Sequence, residues 1–219
     1  MNKQPPTNDP TQLLIMRKRI DLPACPILYN RPFTPTCLAE HWQIRGGHWH
    51  VEGDWLCGRN PANAPGMITS RQSYLGNVLL DFHARTVLPS THDIDWMWNG
   101  SWDETTNTRS LAYVTGLQGW WEGKVGFEKS PDYKLNVATP LFDFHPGQTY
   151  HIQSGSVDGH AFVFVDGRLI LEVTDPDPID TTRYGLIGFE AYASMIQVRQ
   201  LVVRQIVWQD RPLSYPPEF

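Results

Sequence analysis

The sequence predicts an all-β chain, a two-sheet antiparallel jelly-roll sandwich with low helix content. Three observations lead there. From Ile27 onward, short apolar runs recur between Gly, Pro, Asn and Asp, which is the pattern of strands and turns. No segment sustains the apolar period of a helix through three turns. Antiparallel strands with no helices between them must also bury their apolar faces against one another, and two packed sheets do this. At 219 residues and 41% hydrophobic, the chain has enough apolar material for that core without disulfides.

In chain order, the runs predict strands over Gly47–Val51, Trp55–Cys57, Met67–Thr69, Val78–Leu88, Ile94–Trp98, Leu111–Leu117 and Lys124–Glu128. They continue over Thr149–Ser154, Ala161–Val165, Leu169–Val173, Gly185–Ala191 and Ile196–Trp208. Glycine marks the hairpins: Glu52-Gly53-Asp54 joins the first pair, and Asp158-Gly159 and Asp166-Gly167 carry the pair that type I′ turns favour. Residues 1–25 read as a lead-in whose apolar patch, Leu13 to Met16, suits either a turn of helix or an added edge strand. The sandwich then spans 26–210, and the proline-bearing tail 211–219 is expected to wrap the surface.

Composition narrows the function. Net charge is -5 with no basic run or Lys/Arg stripe, which argues against nucleic acid. No stretch approaches the length of a bilayer-spanning helix, so a membrane is not expected as a partner. Cys25, Cys37 and Cys57 are odd in number and lack metal-ligand spacing, and they read as reduced thiols. With no apolar leader at the N-terminus, the expected location is cytoplasmic.

Three stretches resemble the concanavalin A-like lectin and glucanase jelly rolls: WQIRGGHWHVEGDWLCG at 42–58, YHIQSGSVDGHAFVFVDGRLILEVTDP at 150–176 and YGLIGFEAYASMIQVRQLVVRQI at 184–206. Within that group the chain is similar to the YesU-like and keto-disaccharide hydrolase-like families. The resemblance implies a jelly roll with a saccharide on its concave sheet, in the setting of bacterial sugar breakdown.

The candidate chemistry lies mostly in the middle of the chain. In His92-Asp93-Ile94-Asp95-Trp96-Met97-Trp98, strand alternation puts both aspartates on one face and Ile94, Trp96 and Trp98 on the other. This strand is similar to the Glu-Ile-Asp-Ile-x-Glu strand of laminarinase-type glycosidases but lacks the third carboxylate, which weakens that reading. Alternatively, the aspartates are structural and the tryptophans are core. Trp120 and Trp121 sit side by side between glycines, so at least one ring should be exposed for stacking on a sugar. Glu122 is the leading acid or base there and Lys124 an orienting group, with Glu128 and Tyr133 as further sugar contacts. A turn with an ion pair is the plainer alternative.

Alternation over Asp81, His83 and Arg85 offers a general base in His83 and an anion clamp in Arg85, provided that face is the concave one. Trp98 is carried as a stacking residue alongside Asp95 as a catalytic carboxylate. His48 and His50 share a strand face with metal-ligand spacing but no adjacent third ligand. The metal is left unknown, a structural calcium ranking above zinc, and a homo-oligomer is allowed for. The expected function is hydrolysis or elimination at a glycosidic bond. A lectin-like binding domain and an accessory subunit are the alternatives.

Overall fold

The computed structural model describes residues 9–62, 65–120 and 123–211, except for the side chain of Trp120. Two large antiparallel sheets make the molecule. The first has the order β14 (Asn136–Thr139), β13 (Lys124–Ser130), β12 (Ala112–Trp120), β9 (Ile94–Gly100), β18 (Leu186–Ala191), β7 (Gly66–Ser70) and β4 (Trp42–Ile44). The second runs β17 (Arg168–Thr174), β16 (His160–Val165), β15 (Tyr150–Val157), β8 (Val78–Thr86), β19 (Ser194–Gln205), β6 (Trp55–Asn60) and β5 (His48–Glu52). Strand β3 (Ile27–Asn30) also pairs with β19.

Period-two alternation sets each sheet's inner face. On β8, Val78, Leu80, Phe82 and Ala84 are buried towards the other sheet while Asp81, His83 and Arg85 turn outward. On β9, Ile94, Trp96 and Trp98 point inward. Phe82 joins the layers, with its ring 5.5 Å from Trp96 and 5.2 Å from Phe189, both edge to face. Contacts of this kind add about 0.5–1.5 kcal/mol each beyond area burial.

The expected hairpins form with the expected geometry. Asp166 and Gly167 have φ of 49° and 76°, and Asp158 and Gly159 have φ of 49° and 79°, as a type I′ turn requires. Helix is confined, among the described residues, to α1 (Pro35–His41) and a 3-10 turn at Leu22–Ala24. The Thr34 side chain caps α1 by accepting from the Cys37 N–H, and Pro35 occupies the first turn, where no N–H is needed.

Several strands lie outside the expected set. Of the Leu13–Met16 patch, open between helix and strand, Leu13 to Ile15 fall in β1 (Gln12–Ile15) and Met16 in the turn after it. With β2 (Lys18–Asp21) and β20 (Trp208–Asp210) it makes a small sheet. Leu13, Ile15 and Ile20 pack there on Leu79, Phe162 and Phe164, on the outer side of the second sheet. The long closing strand expected to reach Trp208 breaks after Gln205. The tail 212–219 lies outside the described residues.

One more hairpin positions the site. Strands β10 (Trp102–Asp103) and β11 (Thr108–Arg109) fold over the outer face of the first sheet. There Trp102 packs on Met67, Met97, Ala112 and Val114. Strand β9 is therefore buried along its whole length, on both faces.

Candidate functional site

Beside that cover, the outer face of the first sheet opens into a cleft of about 460 Å³, within the size range of small-molecule sites. Its wall includes Asp93, Asp95, Glu190, Glu128 and Arg109. Tyr133, Asn136 and Tyr192 line it as well. Sheet register brings the acids together. Asp95 on β9 pairs directly with Glu190 on β18, which puts their Cβ atoms about 5 Å apart. Glu128 comes from β13, two strands away.

Arg109 ties two of these acids together. It donates to Glu190 at 2.5 Å, to Glu128 at 3.3 Å and to the Ser130 hydroxyl at 3.2 Å. Burial alone would lower the guanidinium pKa, but the charges of Glu190 and Glu128 outweigh it and raise it. The guanidinium therefore stays charged although its side chain is only 12% exposed.

Both aspartates are pushed up by burial. Burial pushes the Asp95 carboxyl well above the usual range, and the charges of Asp93 and Glu190 push it further. Burial also raises Asp93, to about 6, with the hydrogen bond to Asp95 opposing and Glu190 adding to the rise. Two neighbouring buried carboxyl groups disfavour ionising together, so they titrate as a pair and one of them keeps its proton to higher pH.

Among the described residues, Asp95 Oδ1 has no hydrogen-bond partner, and neither has Asn136 Oδ1. Asp93 sits at a φ of 74°, an uncommon conformation outside glycine. Gly119 makes this convergence sterically feasible. A Cβ there would stand 2.3 Å from Asp93 Oδ1 and 3.2 Å from Asp95 Oδ1. Chemically, the cleft offers a proton-holding acid pair, two ion-paired carboxylates, and tyrosine rings at its rim.

The residues expected from sequence divide among several places. Asp95, Glu128 and Tyr133 lie in the cleft, Tyr133 about half exposed at 51%. Lys124 stands on β13, on the same face as Glu128 and four residues away. Trp98 does not reach the cleft. It is fully buried between the sheets, where its Nε1 donates to Ser156 at 3.0 Å, so the ring cannot stack on a sugar. Trp121 and Glu122 lie outside the described residues, as does the side chain of Trp120.

His83 and Arg85 point out from the second sheet, on the opposite side of the sandwich from Asp95. The His83 ring stacks on His151 at 4.7 Å. Burial is the first cause of its lowered pKa, and the charges of His151 and Arg199 add to it. His151 is raised chiefly by its 2.7 Å hydrogen bond to Asp81. Arg85 lies over the Trp55 ring at 4.4 Å. The expected trio is thus an outer-face network of the second sheet and supplies neither base nor clamp to the cleft.

Glu190, Arg109, Asn136 and Tyr192 are cleft residues that sequence reading missed. Glu190 is the single acid in the apolar run Leu186–Ala191, and that was the available signal. Arg109 sits in a turn-rich stretch with no periodicity to mark it. The third carboxylate of the laminarinase strand is replaced by Met97 or Trp98, both fully buried, Met97 beneath the β10–β11 hairpin and Trp98 between the sheets.

In fold, the chain is similar to a protein of unknown function with a galectin-like fold from Bacillus subtilis. The TM-score is 0.64 at 16% identity, covering 83% of this chain and 97% of that one. It is also similar to the carbohydrate-binding module CBM66 from Bacillus subtilis, with a TM-score of 0.59 at 13% identity, over 75% of this chain and 95% of that one. A third likeness is to a prokaryotic β-1,3-1,4-glucanase (lichenase) derived from a mouse hindgut metagenome. That TM-score is 0.56 at 10% identity, over 82% and 99% of the two chains. These likenesses show the jelly-roll fold. No family model matches the chain, and no curated protein matches it. No helix among the described residues is long and apolar enough to cross a membrane.

Proposed function

We propose that the protein binds a neutral saccharide in the cleft of the first sheet and hydrolyses a glycosidic bond there. The observation that carries this is the buried Asp93–Asp95 pair, whose raised pKa values keep a proton available near neutral pH. A carboxylic acid held protonated beside ionised carboxylates is the arrangement glycoside hydrolysis uses. The pair gives its proton to the glycosidic oxygen as the bond to the anomeric carbon breaks. Water then adds to that carbon, and its proton passes to a carboxylate of the cleft, Glu190 or Glu128.

Charge selects the substrate class. Among the described residues of the cleft, four carboxyl groups face one guanidinium, and Glu190 and Glu128 already engage that guanidinium. A uronate would meet net repulsion, so elimination at an oxidised sugar is disfavoured relative to hydrolysis. Tyr133 and Tyr192 supply ring faces for a pyranose. The resemblance to sugar-breakdown families and the fold shared with a lichenase and a carbohydrate-binding module agree with this reading.

A panel of neutral oligosaccharides, assayed for new reducing ends, tests the proposal. Asp95→Asn should lower turnover at least ~100-fold, the usual worth of a general acid. Unchanged turnover in that variant would remove the pair from the chemistry. A second reading, binding without turnover, draws on the Arg109 ion pairs that occupy both glutamates. Calorimetric binding of a saccharide that the wild-type protein leaves intact would select it.

A further inference from the structure

From a different face of the molecule, we infer a binding site for one divalent transition-metal ion of the zinc class, held by His50, Glu52 and Cys57. One ligand atom from each of these side chains lies within 4.8 Å of the others. The hairpin of β5 and β6 enforces the grouping. His50 and Cys57 are direct cross-strand partners, and Glu52 follows His50 by two positions on the same face. Parity explains why this cysteine faces outward: Leu56 next to it points into the core, and the Trp49 ring covers Gly58 on that inner side.

The donor set chooses the metal. A thiolate, an imidazole and a carboxylate together suit zinc and its neighbours, whereas calcium and magnesium take oxygen ligands. The calcium expected from sequence is therefore not what these three atoms would hold. Metal–ligand distances of about 2.0–2.3 Å imply donor separations of about 3.5 Å in a tetrahedral site. Closing from 4.8 Å requires small rotations of His50 and Glu52, both exposed and free to make them. Cys57 loses its proton to solvent on binding, and a water fills the fourth position.

Support around the thiol is already built. The Gln197 amide donates to Cys57 Sγ at 3.3 Å, and Gln197 Oε1 is fixed in turn by Arg85 Nε at 2.8 Å. Arg85 is itself seated on the Trp55 ring. A hydrogen-bond donor aimed at sulfur stabilises a thiolate and orients it, as outer partners of metal ligands do. Of the three thiols, Cys57 is the one grouped with His50 and Glu52; its own bond to the Trp55 carbonyl, at 3.7 Å, is given up on binding, while Cys37 contacts the Tyr29 hydroxyl and Cys25 the Val207 backbone. His48 shares the outer face but lies two residues farther along the strand.

Cobalt(II) titration of the metal-free full chain is the test. One equivalent should produce a thiolate-to-cobalt charge-transfer band that zinc then abolishes by displacement. Cys57→Ser should remove the band, and His50→Ala, at an exposed site that does not threaten folding, should weaken binding at least ~10-fold. Gln197→Ala should weaken it about 10-fold as an outer partner. Absence of the band in the folded wild-type chain, its survival in folded Cys57→Ser, or unchanged affinity in His50→Ala would overturn the site.

Discussion

Replacing Asp93 by Asn should stabilise the fold, and only above mildly acidic pH. The reasoning is linkage. Burial raises the Asp93 carboxyl from 3.8 to about 6, so the folded state holds this proton more tightly than the unfolded chain does. Such a group contributes stability that is fully present below pH 3.8 and lost as pH rises to about 6. A shift of this size corresponds to about 3 kcal/mol, at ~1.4 kcal/mol per pKa unit. Asn cannot ionise and tolerates the positive φ of this position. Urea unfolding of wild type and Asp93→Asn at pH 4 and pH 8 measures the difference. The variant should gain about 2–3 kcal/mol at pH 8 and well under 1 kcal/mol at pH 4. Equal gains at both pH values, or none, would show that Asp93 is not held protonated by the fold.

Three further outcomes follow from the same geometry. Gly119→Ala should abolish saccharide turnover or binding with little loss of stability, because its Cβ meets the movable end of the Asp93 side chain rather than backbone; unaltered kinetics would contradict the convergence of the two aspartates. Arg109→Met should cost about 3–5 kcal/mol in denaturant unfolding, since it leaves Glu190 and Glu128 beside each other without their cation. Trp98→Phe should cost about 1–3 kcal/mol by removing the indole's bond to Ser156, which keeps its bond to Asn99, and part of the buried ring's packing. It should leave the dissociation constant of a cleft ligand unchanged, and a large rise in that constant would return Trp98 to the site.

The sheets were legible because their signals are local. Alternation on Val78–Leu88 and the Asp-Gly turns name inner faces and hairpins without any knowledge of the partner strands. Elements stabilised by context left weaker marks. Lys18–Asp21 carries two basic residues and an acid in four positions, and Asn136–Thr139 is a half-buried edge beside β13. Both are strands because a neighbour offers hydrogen bonds.

The candidate site was half legible for the same reason. Asp93 and Asp95 share a face by strand parity alone, whereas Glu190 joins them only through the pairing of β18 with β9, which sets it beside Asp95 from 95 residues away in sequence. Parity also grouped Asp81, His83 and Arg85 correctly. It could not say which sheet carried them or which side of the sandwich they would face.

The most direct measurement is a crystal structure of Asp95→Asn soaked with a neutral oligosaccharide that the wild-type protein cleaves or binds. A sugar ring in the cleft, within hydrogen-bond distance of Asp93 and against Tyr133 or Tyr192, is the predicted result. A sugar seated instead on the outer face of the second sheet, over Trp55 and Arg85, would contradict the assignment of the acidic cleft.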